Sequence, residues 1–279
     1  MVSVNKVVKP FLKWAGGKRQ IVPLIENNLP INYNYQTYYE PFIGGGAVLF
    51  TLQPKRAVIN DSNTELINCF EVIRDSVDEL IENLKTHKNN EDYYYRIRDW
   101  DRQESFQNRT PVERASRIIF LNKTCYNGLF RVNSQGQFNV PFGKYKNPNI
   151  LDLAVLKAVS KYLNENQITI SNLDFQDVLK NAKKGDFVYL DPPYDPVSDT
   201  ASFTSYSVNR FNKDEQIRLK ETFDNLDKRG CKALLSNAYT NFIKDLYKDY
   251  EQIKISAIRN INSNAKKRGE VDEILVKNY

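Results

Sequence analysis

The sequence predicts an α/β fold: a Rossmann-like, mainly parallel sheet interrupted by an inserted, mainly helical domain that carries a β-hairpin. Three observations predict it. Residues 36–61 read strand, turn, helix, strand. Residues 62–165 are mostly helical in pattern, apart from one stretch rich in Gly, Asn and aromatics. From residue 168 short apolar strands return. The sheet domain is therefore expected over 1–65 and 166–279, and the insertion over 66–165.

Taken in order, QTYYEPF is β-prone, GGG is a flexible turn, AVLFTL opens a helix, and AVIND is a short apolar strand ending in an acid. Such a βαβ unit pairs its strands in parallel through a right-handed crossover. ELINCFEVIRDSVDELIENL and VERASRIIFLNKT carry helical periodicity. Between 122 and 149, turn signals at Asn127-Gly128, Gln135-Gly136 and Pro141-Phe142-Gly143 predict a hairpin or extended loop. LDLAVLKAVSKYLNEN then reads as a helix. ITISNLDF is a strand ending in an acid, and DFVYL is a buried strand that runs into Asp191-Pro192-Pro193-Tyr194. Asn212 and Glu215 have capping-box spacing at the start of a helix that runs to about Arg229, with Gly230 as its stop. CKALLSN and the terminal EVDEILVKNY supply further strands.

Composition narrows the chemistry. The 279 residues are 41% hydrophobic and 27% charged, enough for a full core. A net charge of +6 and a pI near 9.0 point to a polyanionic partner, most simply nucleic acid. Cys69, Cys125 and Cys231 are odd in number and far apart, so they form no disulfide framework and no metal spacing. The single histidine, His87, lies in a polar stretch and reads as a surface residue. A Ser-His-Asp triad, a Cys-His pair and a multi-histidine zinc site are thereby excluded, and no metal is expected. No signal peptide and no membrane-length apolar run occurs, so a reducing, cytoplasmic setting is expected.

Two segments carry a cofactor signal. Glu40-Pro41-Phe42-Ile43-Gly44-Gly45-Gly46 follows a strand and precedes a helix, where glycines let a ligand approach the backbone. Asp61 ends the next strand, where a carboxylate can accept from a ribose diol. Upstream, Phe11-Leu12-Lys13-Trp14-Ala15-Gly16-Gly17-Lys18 is not a P-loop, yet its lysine could hold a carboxylate. Trp14 reads either as a ligand contact or as core.

The catalytic signal is Asp191-Pro192-Pro193-Tyr194 at the carboxyl end of a buried strand. Consecutive prolines fix an extended backbone, which aims the Asp191 carboxylate and the Pro192 carbonyl at one ligand. A planar exocyclic amine needs two such acceptors. Tyr194 offers an aromatic face for a stacked base.

Together, FLKWAGGK, EPFIGGG, Asp61 and DPPY resemble the Dam-type, D12-class alpha group of DNA adenine-N6 methyltransferases, from about Lys9 to the carboxyl end. The resemblance implies a class I methyltransferase sheet, S-adenosylmethionine as cofactor and double-stranded DNA as partner. It also implies a flipped-out adenine, within GATC, as target. Matched by position, Asp191, Pro192 and Tyr194 are catalytic, and Trp14, Lys18, Glu40, Gly44, Asp61, Asp174, Phe175 and Asp191 contact the cofactor. Lys13, Tyr126, Asn127, Leu129, Arg131, Pro141 and Tyr145 match residues that contact or flank the target. Lysine and arginine read guanine edges, and leucine or proline meets the thymine methyl. Asn127 or Tyr126 would fill the hole left by the flipped base.

Val132-Asn133-Ser134-Gln135 resembles the DpnII-like branch, which implies a cognate restriction endonuclease as functional counterpart; an unpaired Dam-type role is the alternative. Asn262 to Arg268 reads as a phosphate contact or as a solvated charge run. Amide methyltransferases of RNA or protein are disfavoured by Asp191, since relatives acting on glutamine carry Asn there. A silent DNA-binding module is disfavoured by the intact Asp61, Asp191 and Tyr194. A dehydrogenase lacks its glycine fingerprint.

Overall fold

The computed structural model describes residues 4–14, 18, 21–30, 36–196, 211–258 and 270–279. Gly16-Gly17 and the 262–268 loop lie outside the described residues. Seven strands form one sheet: β1 (Tyr38–Glu40), β2 (Arg56–Asn60), β3 (Gln167–Ser171), β4 (Phe187–Leu190), β5 (Lys232–Ala238), β6 (Glu251–Ile258) and β7 (Glu270–Lys277). Their order is β3-β2-β1-β4-β5-β7-β6. Pairs among β1 to β5 are parallel, and β7 runs antiparallel to both neighbours. The strand order reverses between β1 and β4, where open α/β sheets form a crevice at the carboxyl ends. Tyr39 pairs with Val58 and with Val188, so β1, β2 and β4 end at one edge of the sheet.

Burial on both faces explains the strand sequences. All four residues of β4 are buried. Alternate side chains divide between two cores. Phe187 and Tyr189 join Tyr38 and Ile59 on one face, packed with Phe70, Leu80, Phe120 and Val159. Val188 and Leu190 face Leu219, Phe223 and Tyr247 on the other. The second face is covered by α8 (Phe175–Leu179), α9 (Lys213–Lys228) and α10 (Asn241–Leu246). The first face holds α1 (Val22–Asn27) and α2 (Ala47–Leu52), with α3 (Thr64–Asp75), α4 (Val77–Lys85), α5 (Glu91–Arg98), α6 (Pro111–Thr124) and α7 (Leu153–Glu165) from the insertion. The insertion lies between β2 and β3, and its helices share a continuous core with the sheet.

Local rules set most boundaries. The long helical run after Asn63 breaks at Ser76, whose extended φ of −141° separates α3 from α4. Thr110 and Glu113 form a reciprocal capping box on α6, with Pro111 in its first turn. On α9 Asn212 accepts from the Glu215 N–H, but the Glu215 carboxylate turns to Arg218, so only half of the anticipated box forms. Gly230, at φ 74°, ends α9 with paired bonds: its N–H donates to the Asp227 carbonyl, and the Cys231 N–H donates to that of Leu226. The anticipated hairpin over 122–149 reduces to two antiparallel bridges, Cys125 with Phe142 and Val132 with Phe138. Turns and two non-glycine residues at positive φ, Asn127 and Lys144, interrupt the ladder.

His87 corrects the sequence reading. It is not a free surface residue. Its ring stacks on Phe120 at 4.4 Å, and its nitrogens pair with the Tyr93 hydroxyl and Ser116 Oγ, both at 2.9 Å. Burial pulls its pKa down to about 4. It remains structural, knitting the end of α4 to α5 and α6.

Candidate functional site

The site grows from the carboxyl ends of β1, β2 and β4. Asp191 follows β4 directly. Its Oδ1 accepts from Lys18 Nζ at 2.8 Å and from Ser236 Oγ at 2.8 Å. Ser236, on β5, stands 3.0 Å from the Tyr189 hydroxyl, which therefore donates to it. Both described partners of Asp191 share Oδ1, so Oδ2 remains as the second acceptor. Burial pushes the Asp191 carboxyl up, against the pull of Lys18. Burial also draws the Lys18 ammonium down, but Asp191 outweighs it and holds Lys18 above its ordinary value. The pair is thus an ion pair with both groups tied to each other.

The DPPY backbone is fastened on several sides. Gln216 of α9 donates to the Pro193 carbonyl at 2.9 Å, and Asn237 accepts the Asp195 N–H at 3.0 Å. Thr240 Oγ1 donates to the Asp195 carboxylate at 2.7 Å. Among the described residues none donates to the Pro192 carbonyl. Tyr194 donates its hydroxyl to Glu273 Oε2 at 3.0 Å, and Lys18 Nζ sits 4.4 Å from its ring centre. Burial, then Asp191 and Glu273, push the Tyr194 phenol well up, so it stays a donor. The ring is thereby fixed in plane.

The glycine loop that follows β1 is equally determined. Gly44 and Gly46 adopt φ of 50° and 74°, in the left-handed region. A Cβ at Gly44 would lie 3.0 Å from Trp14 Cδ1, so the bare backbone is what lets the indole lie against the loop. The Gly44 N–H donates to Asp61 Oδ2 at 3.0 Å, and the Asn63 N–H donates to Oδ1 at 2.9 Å. Asp61 thus ties the loop to the end of β2 while each oxygen keeps a lone pair. Burial raises its carboxyl pKa despite those bonds. Glu40 is buried and accepts from the Tyr38 hydroxyl at 2.7 Å. Burial raises it well above the usual carboxylate range, and the charges of Asp191 and Asp61 add to that. Beyond β3, Asp174 caps α8 and is held bidentately by Arg218, at 2.8 and 3.1 Å. Phe175 packs against Phe42 and beneath the Arg218 guanidinium.

The residues matched to DNA contacts, Lys13 apart, lie on the loop between α6 and α7. Tyr126 and Asn127 are exposed, and the Tyr126 N–H donates to the Pro141 carbonyl at 2.9 Å. Arg131 is exposed and turned toward Asn139, with Nε 2.7 Å from its Oδ1. Lys13 Nζ lies 5.5 Å from the Tyr145 ring centre. Leu129 is half-buried against the core. Lys18 pairs with Asp191 itself, where sequence reasoning assigned it to a ligand carboxylate. Trp14 is stacked on Phe130 at 4.9 Å and its side chain lies against Gly44 and Gly45.

Sequence reasoning missed Ser236, Glu273, Asn60 and Asn122. Buried Asn60 bonds Pro41, Ser171 and Leu173, fastening the ends of β1, β2 and β3 together. The signal was present for Ser236-Asn237, polar residues after the apolar run of β5, but not for Glu273, which stands among other charged residues in EVDEILVK. Among the described residues no cluster suited to a metal ion occurs, and no helix is long and apolar enough to cross a membrane.

The model of the D12 class N6 adenine-specific DNA methyltransferases matches residues 14–261. The chain is 45% identical to a type II methyltransferase, M1.LlaDCHI, of Lactococcus lactis subsp. cremoris, over 100% of this chain and 99% of that protein. It is 45% identical to the type II methyltransferase M.MjaIII of Methanocaldococcus jannaschii, over 98% and 99%. The DNA adenine methylase of Escherichia coli is 33% identical, over 96% and 94%. The seven-stranded sheet, the DPPY loop beside the strand-order reversal and these relatives agree: the chain belongs to the D12 class of N6 adenine-specific DNA methyltransferases.

Proposed function

We propose that this methyltransferase uses S-adenosylmethionine to methylate adenine N6 in double-stranded DNA, within GATC, as the modification half of a restriction system. The observation that carries the chemistry is the disposition of Asp191. Lys18 and Ser236 both bind Oδ1, so Oδ2 and the carbonyl of the next residue, Pro192, would supply the two acceptors an exocyclic amine requires. Those acceptors take the two N6 hydrogens, raise electron density on the nitrogen and orient it for in-line displacement. Tyr194, held by Glu273, gives the extruded base a face to stack on.

The donor set fits the cofactor. Trp14 against the glycine loop would offer an apolar wall, Glu40 and Asp61 acceptors for an amino group and a ribose diol, and Asp174 with Phe175 would contact the adenine. Bound S-adenosylmethionine would supply an electrophilic methyl on a sulfonium. Residues 66–165 would carry target recognition, with Lys13 and Arg131 toward guanines, Leu129, Pro141 and Tyr145 flanking the site, and Tyr126 or Asn127 filling the vacated stack. The restriction reading rests on the relatives named type II methyltransferases, which are nearer in identity than the DNA adenine methylase.

The test uses tritiated S-adenosylmethionine and duplexes containing GATC, GTTC or neither. Label confined to GATC supports the proposal. Equal label on all three refutes the specificity, and no label with measurable cofactor binding refutes the assigned chemistry. An Asp191→Ala protein that methylates at the wild-type rate would remove Asp191 from the reaction.

A further inference from the structure

We infer that Asn122 is a positioning residue that couples DNA binding to cofactor binding. The inference rests on the function proposed above. Asn122 lies near the end of α6 and is buried, with 1% exposure. Its Oδ1 accepts the Lys13 N–H at 2.9 Å. Its Nδ2 donates to the Lys13 carbonyl at 2.8 Å and to the Gly128 carbonyl at 3.0 Å. One amide thus binds the segment that carries Trp14 to the loop that carries Tyr126 and Asn127, using three of the bonds it can make.

The neighbouring contacts stiffen the same joint. Gly128 sits at φ 63°, and a Cβ there would lie 2.4 Å from Lys13 Cδ, so the lysine stem lies directly on the loop backbone. Trp14 is stacked on Phe130 on one side and meets Gly44 and Gly45 on the other. The two sites therefore share a single packed element. An arrangement of Lys13-Trp14 that suits the cofactor loop is transmitted to the 126–130 loop through Asn122, and the reverse holds by reciprocity. Asn122 touches neither substrate in this arrangement. It sets the register between the segments that do.

The experiment is calorimetric titration of S-adenosylhomocysteine into the protein, alone and saturated with a GATC duplex. The wild type is expected to bind it about tenfold more tightly with the duplex present. Asn122→Leu is expected to bring that ratio near unity while leaving the duplex-free affinity within about twofold, because no cofactor-lining group is removed. Phe130→Leu, which removes the ring stacked on Trp14, is expected to lower the ratio in the same direction and serves should the first variant not fold. A ratio of one in the wild type, or an unchanged ratio in the folded variants, overturns the coupling and leaves the proposed function standing. No binding of S-adenosylhomocysteine by the wild type overturns both.

Discussion

Single residues show where chemistry and stability pull apart. Ser236 has no exposed surface and relays between the Tyr189 hydroxyl and Asp191. Ser236→Ala leaves a buried tyrosine hydroxyl without its acceptor, an expected loss of about 1–3 kcal/mol in chemical unfolding. It also frees Asp191 to turn, so single-turnover methylation should fall by roughly ten- to a hundredfold. Destabilisation with an unchanged rate would make the serine purely structural. Glu40 is the opposite case. A carboxyl whose pKa is raised by folding favours the fold below its unfolded value near 4.5, and the benefit is lost as pH rises through the raised value. Glu40→Gln keeps an oxygen for Tyr38 and should melt above the wild type in mildly alkaline buffer, the gap closing toward pH 4.5, while cofactor binding weakens. Asp191, Asp61 and Glu40 were legible because each is an acid at a strand end. Asn122 was not, because asparagine is common everywhere and only the neighbouring loop gives it a role.

Elements were legible where a local rule governs them. The α6 segment with its capping box, and β4 with its run of buried residues, follow from periodicity and caps alone. The 122–149 stretch was harder, since its turns are plain but its pairing depends on contacts with distant residues such as Arg102 and Asp101, which hold Phe138 at 2.8 and 2.7 Å. His87 shows the same limit. Its polar neighbours in sequence conceal that α5 and α6 close over it. With a pKa lowered from 6.5 to about 4, it supports the fold fully above pH 6.5, and that support is lost as pH falls toward 4. Thermal melting should therefore weaken through this window, and His87→Gln should flatten the acid limb. An identical acid limb in the variant would place the loss on other groups.

The whole molecule carries +6, and the exposed side chains on the loop between α6 and α7 include Arg131, Lys144 and Lys146. Binding to DNA should therefore weaken steeply with salt, with a log–log slope beyond about −3, which corresponds to more than about three neutralised phosphates. Arg131→Ala should relax base preference and change that slope by no more than about one, since base contacts specify and phosphate contacts bind. A slope near zero would mean that charge does not drive association. Strands and helices could be read from the sequence, but the sheet order could not. Nothing local indicates that the insertion's helices join the core of the sheet, or that the strand after β6 enters between two others.

That late strand has a consequence for synthesis. β7 pairs with β5 on one side and β6 on the other, and it carries Glu273 to Tyr194. While the chain is being made, the edge of β5 stays open until β7 has left the ribosome. Until then Tyr194 has no Glu273 to receive its hydroxyl, so a growing chain holds an unfinished DPPY loop. A product that ends before β7 therefore exposes a sticky sheet edge and leaves Tyr194 without that anchor.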